Sequence, residues 1–225
     1  MKRVDTPELL DSDACSPEDV QTSLRDLGRI NRWFGGVATT QSLIERVAHA
    51  TGLQRLSMLE VAAGTGEVSA IVRKRLTRRG ITIDVTLQDR AWSHLPKRNG
   101  AIVADALALP FRDSAFDLVS CNLFAHHLDP SVLARFACEA MRVSRRAVLI
   151  NDLVRHPLHL ALVYAGFPLM RSRISRVDGV ASVRRAYVPE ELQNILASAA
   201  GPAVRVDISQ HFLFRMAAIV WKNNS

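Results

Sequence analysis

The chain has 225 residues, 48% hydrophobic and 23% charged, with a net charge of +7. That balance allows one sizeable buried core and excludes a disordered chain. No apolar run is long enough to span a bilayer, and the opening MKRVDTPELLDSDACS lacks the apolar stretch of a secretory signal, so a cytoplasmic protein is expected.

The first fifteen or so residues are acidic and polar without periodicity and read as a mobile arm. A helix starts at Ser16-Pro17-Glu18, with Ser16 as cap and Pro17 in the first turn, and Val20, Leu24 and Leu27 recur at helical spacing. A second helix, with Leu43, Ile44 and Val47, ends near Gly52. Between the two lies an aromatic, glycine-ended joint from Ile30 to Gly36. Residues 1–52 therefore read as an arm and helical cap, and residues 53–225 as the binding domain. Together they form a single structural domain with an apolar and basic insert at 153–188.

After Gly52 strand and helix alternate: Leu56 to Val61, then Glu67 to Arg79; Thr82 to Gln88; Ala101 to Ala104; Phe116 to Asn122; Ala147 to Asn151. This predicts an α/β fold with a doubly wound, mostly parallel, seven-stranded sheet. A helix from Pro189 to Ala200 and two strands, Ala203 to Ile208 and Phe212 to Trp221, close the sheet as an antiparallel pair. Cys15, Cys121 and Cys138 are odd in number and lack metal-type spacing, which predicts reduced thiols and no metal site.

The most informative segment runs from Met58 to Glu67, where a strand ends in Glu60 and small residues turn at once into a helix. Small residues permit close backbone approach, and the helix N-terminus offers unpaired N–H groups. Glu60 can face an ammonium. A dinucleotide site needs G-x-G-x-x-G, and the last glycine place is Ser69, which argues against NAD.

The segment instead resembles the first motif of class I methyltransferases, acidic-x-G-x-G-x-G, with Glu60 as the acid and Ala62, Gly64 and Gly66 in the glycine places. Gln88-Asp89 ends the second strand and Asp105-Ala106 follows the third. The passage from Leu109 to Val119 is similar to the family's LPF-x-D-x-x-FD-x-V. The resemblance spans Ser57 to Asn151 and is closest to small-molecule methyltransferases, which include ubiquinone and menaquinone biosynthetic enzymes and natural-product O-methyltransferases. It implies S-adenosylmethionine as cofactor. Glu60 and the backbone at Ala62 and Gly64 would hold the methionine part, with Gly66 opening the helix. Asp89, beside Arg90, would take the ribose, Asp105 with Ala106 the adenine, and the Asn122 backbone the methionine amine.

Candidates for chemistry follow strand four. His126 and His127 sit where such sheets place ligands, and Asp152 ends strand five on the same edge. One histidine, first of all His126, reads as a general base for a phenolic hydroxyl, whose pKa is about 10, with Asp152 orienting it. Packing of a histidine and helix capping by Asp152 are the plainer roles.

The apolar stretch from Leu158 to Met170 reads either as a lid over an acceptor pocket or as an ordinary buried helix. With Arg171, Arg173, Arg176, Arg184 and Arg185 beside it, it also suggests peripheral contact with an anionic membrane, against the plainer reading of a solvated basic face. The segments 152–156 and 184–187 resemble methyltransferases found beside type III polyketide synthases. That resemblance implies O-methylation of a phenolic or quinol polyketide-type compound, with C-methylation of a quinone ring as the alternative. It would place Arg155, His156, Arg184 and Tyr187 at the acceptor pocket. From the aromatic joint, Trp33 or Arg32 would reach the same pocket.

Two other classes stay open. An RNA methyltransferase would use the basic charge, but base-amino enzymes carry an Asn/Asp-Pro-Pro-aromatic turn where this chain has Asn122-Leu123-Phe124-Ala125, so no nucleic-acid partner is expected. A non-catalytic binding module on the same fold is the other. The expected assembly is a monomer or homodimer.

Overall fold

The computed structural model describes residues 1–11, 15–96, 101–202 and 204–222. Seven strands form one sheet: β1 (Arg55–Val61), β2 (Thr82–Asp89), β3 (Ala101–Val103), β4 (Phe116–Asn122), β5 (Ser144–Leu153), β6 (Val206–His211) and β7 (Arg215–Trp221). Their order is β3-β2-β1-β4-β5-β7-β6. Strands β1 to β5 pair in parallel, and β7 runs antiparallel to both β5 and β6. This is the Rossmann-like, mostly parallel sheet that the alternation predicts, with its closing antiparallel pair. Ala203, the predicted start of the sixth strand, lies outside the described residues, as do residues 12–14 of the arm.

Side chains alternate across the sheet. Leu56 and Met58 enter one apolar core, Leu59 and Val61 the other, and all four are fully buried. Helices α2 (Gly36–Thr51) and α3 (Glu67–Thr77) cover the first face through Val37, Leu43, Ile44, Val72 and Leu76. Helices α4 (Pro130–Val143) and α7 (Pro189–Ala200) cover the second through Leu133, Phe136, Leu192 and Leu196. Each such side chain contributes roughly 1.5–3 kcal/mol on burial, which makes the sheet a firm platform for its carboxyl edge. The direction of strand order reverses between β1 and β4, and the crevice at that reversal is where open α/β sheets take ligands.

Helix α1 (Pro17–Trp33) begins as predicted: the Ser16 hydroxyl accepts from the Asp19 N–H, and Pro17 opens the first turn. It continues past Leu27 and takes in most of the aromatic joint. Its buried face is largely polar, comprising Ser23, Asp26, Gly28 and Asn31 beside Leu24. Ser23 meets Ser175 at 3.1 Å, and Asp26 accepts from the N–H groups of Arg171 and Ser172 at 2.8 and 2.9 Å, where α6 (Arg173–Arg185) begins. Directed hydrogen bonds, more than apolar burial, therefore fix α1.

The N-terminal arm is not loose. Val4 N–H donates to Arg184 O, Leu9 and Leu10 N–H groups donate to the Asp178 carboxylate, and the Ser182 hydroxyl donates to Glu8. Residues 1–11 thus lie along α6. Polar residues without periodicity read as mobile because their partners stand on a helix far along the chain. Helix α5 (Pro157–Ala165) corrects a second reading: His159 is its sole buried residue, so it is not a buried helix. No helix among the described residues is long and apolar enough to cross a membrane.

Candidate active site

Four adjacent strands present polar side chains at the carboxyl edge, and these are chained across the sheet. Asn122 of β4 donates to Glu60 Oε1 of β1 at 2.9 Å, Asn151 of β5 donates to Asn122 Oδ1 at 3.0 Å, and Arg215 of β7 donates to Asn151 Oδ1 at 3.3 Å. The Thr40 hydroxyl adds a 2.6 Å bond to Asn122 Oδ1. Arg215 also reaches Asn31 Oδ1 at 2.7 Å and Phe34 O at 2.9 Å, tying the end of α1 to the sheet. Burial brings the Arg215 guanidinium down to about 10, with Asp152 opposing the shift.

Glu60 is the exposed end of this chain in a chemical sense only. It is 2% exposed, and Oε2 has no hydrogen-bond partner among the described residues. Burial pushes its carboxyl up to about 7 against the Asn122 hydrogen bond. A buried carboxylate oxygen without a donor is costly, and a cationic ligand group at this point would relieve it.

The turn after β1 is open at its middle. Ala62, Gly64 and Gly66 all have positive φ, at 52°, 52° and 66°. Nothing lies within 4 Å of a Cβ added at Gly64. Its N–H donates to Asp89 Oδ2 at 2.9 Å, and the Ala91 N–H donates to Oδ1 at 2.9 Å, so Asp89 closes the turn and keeps a second lone pair on each oxygen. Beyond β3, Asp105 is exposed and accepts from Leu107 N–H at 2.9 Å, with Ala106 partly buried next to it. Arg90 is exposed. Glu60, the glycine turn, Asp89 and Asn122 thus meet at the reversal between β1 and β4, and helix α1 lies over the turn. Gly28 approaches Glu67 where no Cβ would fit without moving that side chain, and Arg32 pairs with Glu67.

The histidine pair differs from the sequence expectation. Asp152 Oδ1 lies 2.6 Å from His126 Nδ1, its Oδ2 accepts the His126 backbone N–H at 3.0 Å, and Glu8 Oε1 stands 3.3 Å from Nε2. Burial alone would push this imidazole down, but Asp152 and Glu8 overcome it and hold His126 up at about 10. The same contacts hold both carboxyls below their ordinary range despite burial. His126 thus meets Asp152 as the sequence suggests, but it lies buried with a carboxylate at each ring nitrogen and is held toward its protonated form, which suits an ion-pair partner better than a base. His127 has its ring centroid 4.3 Å from that ring, tilted by 37°, is 20% exposed, and has Nε2 3.7 Å from Glu8 Oε2. Glu8, His126 and His127 approach metal-ligand spacing, but with a carboxylate at each nitrogen His126 serves as an ion-pair partner.

Several expected pocket residues are framework instead. Arg155 is buried and braces Met1 O, Ala186 O and the Glu191 carboxylate. Tyr187 is 1% exposed, donates to Leu128 O at 2.6 Å and carries Arg3 over its ring. Trp33 is exposed, as is Arg184. His156 caps α5 by accepting the Leu158 N–H and stacks on Phe214, which also stacks on His159. Sequence reasoning missed Glu8, Thr40, Asn151 and Arg215. Arg215 carried a signal, a charge at the head of an otherwise apolar strand; Glu8 carried none.

Residues 59–150 match the family model described as a methyltransferase domain. No curated protein sequence matches the chain. Solved structures share its fold at low identity. The plantazolicin methyltransferase BpumL in complex with SAH is 14% identical over 96% of this chain and 93% of that one, with a TM-score of 0.73. A SAM-dependent methyltransferase from Aquifex aeolicus is 15% identical over 92% and 98%, with a TM-score of 0.59. Magnesium protoporphyrin IX methyltransferase from Synechocystis PCC 6803 with bound SAH is 14% identical over 84% of each, with a TM-score of 0.54. S-adenosylmethionine, the cofactor expected from the sequence, agrees with the SAH that two of these three structures hold.

Proposed function

We propose that the protein transfers a methyl group from S-adenosylmethionine to a small aromatic or lipophilic acceptor, with O-methylation of a phenolic or quinol, polyketide-type compound as the leading reaction. The observation that carries the cofactor reading is the buried Oε2 of Glu60, without a hydrogen-bond partner among the described residues, at the end of the strand that leads into the open turn at Gly64. In this reading Glu60 pairs with the ammonium of the methionine part, Ala62, Gly64 and Gly66 let the backbone approach it, Asp89 takes the ribose hydroxyls, and Asp105 with Ala106 receives the adenine. Asn122, fixed by Glu60, Thr40 and Asn151, holds its backbone at the methionine end. S-adenosylmethionine supplies an electrophilic methyl on a sulfonium.

What remains for the protein is to orient an acceptor and take its proton. His127 is the histidine suited to that role, because it is the more accessible of the pair and the positions around His126 are already filled by Asp152 and Glu8. The clamp at His126 positions His127 through the contact of their tilted rings. Incubation with labelled S-adenosylmethionine and a panel of phenols, quinols, quinones and RNA tests the acceptor. Label entering a phenolic oxygen supports the leading reaction, label on ring carbon replaces it with C-methylation, and label on RNA alone overturns the small-molecule reading.

A further inference from the structure

Helix α5 is inside out. A short helix on a sheet domain ordinarily turns its apolar stripe to the core. Here Leu158, Ala161, Leu162 and Ala165, spaced i, i+3, i+4 and i+7 on one face, are all exposed, whereas the buried residue is His159, whose Nδ1 lies 2.9 Å from Val154 O. The stripe continues into the next turn: Leu169 is 60% exposed, and Tyr164, 47% exposed, lies against Phe167. A contiguous apolar patch of this kind marks an interaction surface.

The charges around the patch identify its occupant. From Leu153 to Val177 the chain contains no aspartate or glutamate, and Arg171, Arg173 and Arg176 are exposed just beyond the stripe. We infer that this face docks on an anionic lipid bilayer, with Leu158, Leu162 and Leu169 entering the acyl boundary, Tyr164 at headgroup level and the arginines on the lipid phosphates. A second copy of the chain fits less well, because a two-fold contact through this face would bring both sets of arginines together. The inference uses no residue of the cofactor site and stands independently of the proposed reaction, although a lipophilic acceptor would reach the domain through the same face: α5 begins shortly after Asp152 at the end of β5.

Flotation of the full-length protein with phosphatidylcholine vesicles, with and without phosphatidylglycerol, tests it. The protein should float with the anionic vesicles, less so as salt rises, and stay unbound to pure phosphatidylcholine. Leu158→Glu/Leu162→Glu and, separately, Arg171→Glu/Arg173→Glu should each cut the bound fraction by about tenfold or more, with S-adenosylhomocysteine affinity unchanged. If the leucine variant melts early, Tyr164→Trp gives a second reading: brominated lipid should quench it beyond the wild-type signal. Absence of flotation at low salt, variants that bind like wild type, no added quenching, or a wild-type dimer that the leucine variant converts to monomer would each overturn the inference.

Discussion

Glu8 Oε1 stands 3.3 Å from His126 Nε2 while Asp152 Oδ1 stands 2.6 Å from Nδ1 of the same ring. The arm, the turn after β4 and the end of β5 are thereby joined at one buried cation. Removing it would leave two buried carboxylates without the counter-charge between them, so His126→Ala should lower folding stability by about 3–5 kcal/mol. His127→Ala should cost about 1 kcal/mol or less and instead reduce turnover of a hydroxyl acceptor by about a hundredfold or more. Denaturant midpoints and single-turnover rates separate the two; equal stabilities would contradict the clamp.

The same pair sets a pH profile. His126 is raised in the folded state, so its contribution is complete below its ordinary pKa of about 6.5 and is lost as pH rises through about 10. Asp152 and Glu8 are depressed, so theirs is present above the ordinary carboxyl range and lost on acidification. Thermal melts should be highest between about pH 5 and 6.5, and Glu8→Gln should weaken the fall on the alkaline side. A wild-type melting temperature that climbs from neutral pH to 9 would be the wrong sign.

Cofactor affinity should fall on acidification. Glu60 titrates at about 7 before anything binds, and an ammonium partner favours its carboxylate, so binding below that point must release a proton. Affinity for S-adenosylhomocysteine should drop by up to about tenfold per pH unit between 7 and 5. Calorimetry in buffers of different ionisation enthalpy reads that proton directly; a flat profile would mean that Glu60 does not face the ligand.

The turn offers two opposite substitutions. Ala62 holds a φ of 52°, a left-handed conformation that costs an L-residue roughly 1–2 kcal/mol. Glycine there loses part of that gain to chain entropy, so Ala62→Gly should stabilise by about 1 kcal/mol or less. Gly64→Ala takes on the same strain and also puts a methyl into the open space at the turn, so it should lower cofactor affinity further than its melting temperature would suggest. Affinity retained at wild-type level would remove Gly64 from the site.

Arg215 links the sheet to α1. Replacing it with methionine leaves Asn31 Oδ1 and Phe34 O without their donor, at about 1–3 kcal/mol for each group left buried and unpaired. Because α1 is held by such polar contacts, hydrogen exchange in α1 should quicken in Arg215→Met while β1 and β4 stay protected. Uniform loss of protection would show that α1 does not open as a unit.

The sheet was legible in the sequence because each strand is a short apolar run beside a helix, and Glu60, the glycine turn and Asp89 were legible because strand ends fix where side chains go. Glu8 was not, since its role depends on an arm packed along α6, and neither was the fate of His126, since a histidine next to an aspartate reads alike as a base or as a buried ion until its second nitrogen is seen. Arg155 and Tyr187 misled for a related reason: an arginine and a tyrosine near a pocket look the same in sequence whether they face ligand or brace backbone carbonyls. Helix α5 showed its apolar character in the sequence, but nothing local states which way that face turns.

In the proposed function, Glu60 Oε2, which has no hydrogen-bond partner among the described residues, receives the cofactor's ammonium. Calorimetric titration of S-adenosylmethionine into the wild-type chain and into Glu60→Gln tests it most directly. One site is expected in the wild type, with a loss of about tenfold to a hundredfold in the variant, the size of a charge-assisted hydrogen bond, at an unchanged or raised melting temperature. A wild-type chain that does not bind, or a variant that binds equally well, would contradict it.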